Sequence, residues 1–114
     1  MALAPAEKRR FPRLELHTEL HYQVRGSPET NNTISGDLSA NGVSFSSNEF
    51  ISTGTAVMLE INLLSRVLRP IGRIAWSTPF PHSDRYKSGA EFLELEQKDK
   101  DYLSDYIELQ SYNP

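Results

Sequence analysis

Asp37 and Ser39 stand two residues apart, so along an extended chain their carboxylate and hydroxyl leave the same face while Leu38 points the opposite way. Gly42 follows Asn41, and an Asn-Gly pair predicts a turn with positive φ, where a residue without Cβ meets little steric cost. Taken alone, the stretch Gly36 to Phe45 reads as an ordinary hairpin with polar punctuation. A second group of side chains gives it chemistry. Arg9 and Arg13, four residues apart, carry planar guanidinium forks that pair bidentately with phosphate oxygens or with the O6/N7 edge of guanine. The Asp37 carboxylate accepts hydrogen bonds from the N1 and N2 donors of guanine, Ser39 adds a donor or acceptor, and Gly42 lets backbone approach a ligand closely. A guanine nucleotide carrying phosphate satisfies both groups at once.

The elements that must position these residues follow from local pattern. Pro12 disfavours a helix and pushes Phe11 towards extended geometry, which places the arginines on a loop. From Leu14 to Val24 alternation is complete, with Leu14, Leu16, Thr18, Leu20, Tyr22 and Val24 on one face, and this predicts a half-buried strand. Residues 26–32 are a loop by composition, and Thr33 to Leu38 resumes as a strand into the Asp-Ser turn. Thr55 to Leu64 alternates again, with Val57, Leu59, Ile61 and Leu63 inward. Val67 to Trp76 gives a further strand, edged or bulged at Pro70. Ser77 to Lys87 reads as a loop and Tyr86 to Phe92 as a last short strand with Ala90 and Phe92 inward. Between Leu95 and Gln110 the period changes: Leu95, Tyr102, Leu103, Tyr106 and Ile107 predict an amphipathic helix from about Lys98 to Gln110, with Asp99, Asp101, Asp105 and Glu108 on its wet side. Many short strands followed by one helix predict an all-β-dominated antiparallel barrel or sandwich, closed or edged by the helix.

Composition bounds the class. The 114 residues suit one domain, and 38% hydrophobic with 24% charged residues is ordinary for a globular chain. No cysteine is present, which excludes disulfides, thiolate metal sites and a cysteine nucleophile. No segment has the apolar core of a signal peptide or the length of a membrane span, so a cytoplasmic location is expected. The net charge of −3 argues against a nucleic-acid binder, although Lys8, Arg9, Arg10 and Arg13 gather four of the twelve Lys and Arg residues near the N-terminus.

The paired motifs Arg9-Arg10-Phe11-Pro12-Arg13 and Asp37-Leu38-Ser39-Ala40-Asn41-Gly42 resemble the signature of the PilZ domain family, bacterial receptors of cyclic di-GMP. That signature is Arg-x-x-x-Arg on an N-terminal loop and Asp/Asn-x-Ser-x-x-Gly at the start of the barrel. Ile74-Ala75-Trp76, Gly89-Ala90-Glu91-Phe92 and the terminal helix extend the resemblance over roughly residues 8 to 110. It implies a six-stranded antiparallel β-barrel with a C-terminal α-helix, the ligand lying across its outside. Arg9 and Arg13 would then meet phosphates and guanine, Asp37 and Ser39 a guanine edge, and Gly42 would permit backbone approach. Arg10 and Lys8 are further cationic candidates, and Trp76 could stack on a base or serve as a half-buried strand aromatic. Lys8, just before the first motif arginine, is the position whose basic character accompanies two stacked ligand molecules in the resembling family.

Other chemistries fit poorly. His17 and His21 lie four apart on a strand, ~13 Å, too far to share a metal. No glycine-rich phosphate loop precedes a helix and no serine is paired with a histidine in a nucleophile motif, so neither an enzyme nor a cofactor is expected. The expected organisation is a flexible lead-in over 1–8, one domain over 9–110 and a tail over 111–114. The expected function is a stand-alone bacterial cyclic di-GMP receptor or adaptor, a monomer or weak ligand-dependent dimer, that orders its N-terminal segment on binding and signals to a separate effector protein, with motility or biofilm formation as the kind of output. The alternative is an interaction module on the same fold with little or no nucleotide binding.

Overall fold

Two-residue alternation of apolar and polar side chains governs most of the chain, and the structure, a computed structural model describing residues 13–111, carries it into eight strands and one helix among the described residues. The strands are β1 (Arg13–Glu15), β2 (Glu19–Val24), β3 (Asn31–Ser39), β4 (Gly42–Ser47), β5 (Ala56–Leu63), β6 (Arg66–Leu68), β7 (Ile71–Pro79) and β8 (Tyr86–Glu94); helix α1 is Gln97–Ser111. All pairings are antiparallel. Strands β3, β2, β5, β7, β8 and β4 pair in that order, and β4 pairs back onto β3, so six strands close a barrel. Closure leaves those six without a free edge along the paired stretches. β1 adds to β3 and β6 to β5, outside the ring.

The inward set packs the barrel: Leu20, Leu38, Phe45, Val57, Ile61, Leu63, Leu68 and Ile74 are buried almost completely. Helix α1 contributes Leu103 and Ile107 to the same core and packs against β1 and β3. Glu96 begins the helix, its carbonyl accepting the Asp99 and Lys100 N–H groups at 2.9 Å. No helix among the described residues is long and apolar enough to cross a membrane.

Several expectations are corrected. The strand anticipated over Leu14–Val24 is broken at Leu16-His17-Thr18, where three residues lie opposite only two, Ser35 and Gly36. The buried Ser35 side chain fills this bulge: its Oγ accepts the Thr18 N–H at 3.0 Å and donates to the Leu16 carbonyl. β7 continues to Pro79, pairing with β8 out to Tyr86, so the loop expected from Ser77 is only 80–85. There Arg85 stands in for strand contacts, donating to Ser46 Oγ at 2.8 Å and Asn48 Oδ1 at 2.6 Å. Asp99 does not lie on the wet side of the helix. It is 9% exposed and paired at 3.0 Å with Arg66 of β6, whose guanidinium also sits 5.4 Å over the Tyr102 ring. In the first turn, a carboxylate also complements the positive end of the helix dipole. Pro70 separates β6 from β7, and its carbonyl accepts the Leu59 N–H at 3.0 Å.

Candidate functional site

Strand β1 exists because its short alternating stretch pairs with the end of β3, and that pairing assembles the site. Arg13 lies opposite Ser39, Leu14 opposite Leu38 and Glu15 opposite Asp37. Leu38 is buried, so Asp37 and Ser39 share the outer face, as their spacing requires. Arg13 reaches diagonally across that face, its Nη2 donating to Asp37 Oδ2 at 3.1 Å. Both side chains are partly open, at 42% and 35% exposure, so each can exchange its partner for a ligand group. Asp37 is anchored from behind, its N–H donating to Ser44 Oγ of β4 at 2.7 Å. Gly36 makes room for that hydroxyl, because a Cβ there would lie 2.7 Å from it.

The turn after Ser39 differs from the expected one. Ser39 pairs with Gly42, so the two central residues are Ala40 and Asn41, and neither has a positive φ. Gly42 is not left-handed either; the positive-φ glycines among the described residues are Gly26 and Gly54. Glycine is needed at 42 for a different reason: a Cβ would fall 2.6 Å from the Ala90 carbonyl oxygen of β8. Its role is close approach between strands, and the Phe92 N–H, donating to the Asn41 carbonyl at 2.8 Å, draws the turn onto β8. Ser39 Oγ donates to Asn41 Oδ1 at 2.8 Å and keeps the turn's polar groups satisfied.

Around these groups runs an open groove of about 260 Å³ whose lining includes Arg13, Asp37, Ser39, Gly42, Trp76 and Glu91. Trp76 reaches it through a β-bulge: Ile74 pairs with Ala90 and Trp76 with Gly89, leaving Ala75 extra, so both Ala75 and Trp76 face outward. Glu91 is held by Arg73 of β7, whose Nε donates to Oε1 at 3.1 Å and whose Nη2 contacts the same oxygen. Arg13 balances Asp37 and Arg73 balances Glu91, so these four groups offer no net positive charge to an anion. Arg9 and Arg10, with Lys8, lie outside the described residues. Thus Arg13, Asp37, Ser39, Gly42 and Trp76 converge on one groove. Asn41, Ser44, Gly89 and Glu91 complete it, and a single sequence offered no signal for them beyond the turn and the Gly-Ala-Glu-Phe stretch.

Elsewhere on the outer surface, His21 lies between Glu19 and Glu60, with 3.3 Å from a ring nitrogen to each carboxylate. The side-chain amide of Asn62, then His21, hold the Glu19 carboxyl below its ordinary range. Burial pushes the Tyr22 phenol up.

A family model described as PilZ domain matches residues 7–109. Similar solved structures include the Bacillus subtilis inhibitor of motility MotI/DgrA, with TM-score 0.79 and 21% identity over 90% of this chain and 51% of that one. They also include the PilZ domain of YcgR from Escherichia coli with c-di-GMP, at TM-score 0.68 and 14% identity over 91% and 94%. A third is the PilZ domain of CeSA from a cellulose-synthesizing bacterium, at 0.63 and 11% over 89% and 99%. The chain spans about half the length of MotI/DgrA. At these identities the structural likeness establishes the fold alone. No curated protein matches.

Proposed function

From a chain that belongs to the PilZ domain family, we propose a receptor for cyclic di-GMP that works as an adaptor, with residues 9–110 as the receptor domain, 1–8 as a lead-in and 111–114 as a tail. The observation that carries this reading is the meeting of Arg13 with Asp37 across β1 and β3, beside Ser39 and Trp76, on one open groove. Asp37 accepts from a guanine edge, Ser39 meets a second ligand atom, and Arg13, released from Asp37, forks onto phosphate or the guanine O6/N7 edge. Gly42 serves by letting β4 lie close to β8, which sets the groove's floor. Because the described groove is charge-balanced, Arg9 and Arg10 are the groups assigned to the remaining phosphate charge, with Lys8 as a further cation. The PilZ domain of YcgR, a similar structure, is solved with c-di-GMP, which favours the same ligand here.

Binding docks the N-terminal arginine segment onto the ligand through charge-assisted hydrogen bonds, and a protein partner reads the docked segment. No chemical step is assigned to the site; it binds, and its natural setting is the cytoplasm. Calorimetric titration of the full chain with cyclic di-GMP, with GMP and cyclic AMP as controls, tests the reading. Saturable heat with the cyclic dinucleotide alone is expected, and no heat or spectral change at tens of micromolar ligand, a loose threshold on the affinity scale, overturns it. Amide exchange of residues 6–13 with and without ligand tests the signalling step; equal exchange despite proven binding removes it.

A further inference from the structure

Simple alternation along β7 would send Trp76 inward after Ile74. The extra residue Ala75 reverses this, and the reversed register is locked from inside the barrel. Ser88 Oγ lies 3.0 Å from both Ser47 Oγ and Ser77 Oγ, a hydroxyl chain running from β4 through β8 to β7. Ser47 and Ser88 are fully buried, so a register slip would strand these hydroxyls without partners. Ser77 also accepts the Ile51 N–H at 3.3 Å. With Ser77 held inward, Trp76 must face out.

On the outer face the indole meets Gly89, its cross-strand partner. A Cβ at position 89 would stand 2.6 Å from Cζ2 of the ring and closer still to Nε1 and Cε2. Real side-chain carbons do not approach so near, so any residue other than glycine displaces the ring. Trp76 is nevertheless 38% exposed, and it lines the same groove as Arg13 and Asp37. The ring therefore lies against bare backbone at Gly89 and stays partly open to the groove, a placement that suits an aromatic platform on which a nucleobase stacks.

We propose that Gly89 is a positioning residue, seating Trp76 over β8 as the stacking platform for one guanine of the ligand; this rests on the receptor reading above. Trp76 is the only tryptophan in the chain, so its emission reports this ring alone. The test compares wild type, Trp76→Ala, Trp76→Phe, Gly89→Ala and the Gly89→Ala/Trp76→Ala double variant by cyclic di-GMP titration, with emission and acrylamide quenching of the tryptophan-containing chains. Removing the ring is expected to weaken binding about 5- to 150-fold, the range for loss of one base–aromatic stack, and Trp76→Phe to recover part of it. Gly89→Ala should increase quenching and weaken binding similarly, whereas in the Trp76→Ala background, where the Cβ has room, it should change affinity little. Equal affinity of wild type and Trp76→Ala overturns the platform. An equal loss from Gly89→Ala in both backgrounds overturns the positioning role. A wild-type chain that binds no cyclic di-GMP removes the receptor reading and this inference together, and only that result reaches the former.

Discussion

Replacing Asp37 by Ala should abolish the site with almost no effect on the fold, and the geometry says why the two separate. On the stability side Asp37 loses a partly exposed ion pair with Arg13 at 3.1 Å, a contact of the kind that contributes about 0.2–1 kcal/mol. Against this, Glu15 lies directly across the strand pair from Asp37, and like charges in that position are unfavourable by a comparable amount, about 0.2–1 kcal/mol. The two effects oppose, so Asp37→Ala should change stability by less than about 1 kcal/mol, within about 4–8 °C in melting temperature for a domain near this size. Arg13→Ala lacks the compensation: it removes the attraction and leaves Glu15 and Asp37 facing each other, so it should destabilise more than Asp37→Ala. High salt should narrow that gap, because both charges are reachable by solvent. For the ligand, truncating one side of a charged hydrogen-bonded contact costs about 2–5 kcal/mol, roughly 30- to several thousand-fold in affinity. Thermal melts by circular dichroism without ligand, at low and high salt, and calorimetry with cyclic di-GMP provide the two readouts. If Asp37→Ala melts far below wild type, or below Arg13→Ala, the carboxylate is structural and the division of labour argued from this geometry is wrong.

Leu20→Ala should do the reverse, destabilising the barrel by ~2–5 kcal/mol because the side chain is fully buried, and urea denaturation will measure it. Gly42→Ala should cost ~1–3 kcal/mol by forcing β4 from the Ala90 carbonyl, a strain the same denaturation experiment detects; an unchanged midpoint would show that β8 yields freely. Glu19, whose folded value is held down first by Asn62, stabilises the fold above the ordinary carboxylate value of 4.5, and that contribution is lost as pH falls through the lowered value. Asn62→Ala should therefore be less stable than wild type at neutral pH, with the difference shrinking in acid; a constant difference across the titration would refute the linkage.

Much of this protein is written locally in its sequence. The inward positions Leu20, Tyr22, Val57, Leu59, Ile61 and Leu63, the pair Leu103 and Ile107 on the helix, and the common face of Asp37 and Ser39 all follow from periods of two or 3.6 residues, which depend only on the backbone of each segment. Tertiary structure decided the rest, because register is set by hydrogen bonds between segments distant in the chain. It set Arg13 beside Asp37 across 24 positions, and it broke β1 from β2 where the Ser35 hydroxyl fills a bulge. It turned Trp76 outward through one extra residue opposite Gly89. It moved the need for glycine at 42 from the conformation of a turn to the carbonyl of Ala90 on another strand, and it buried Asp99 against Arg66 although the helical period marks that carboxylate as wet. Each of these depends on which strand lies alongside and by how many residues it is shifted, a choice made when the barrel closes and carried by no single segment's pattern.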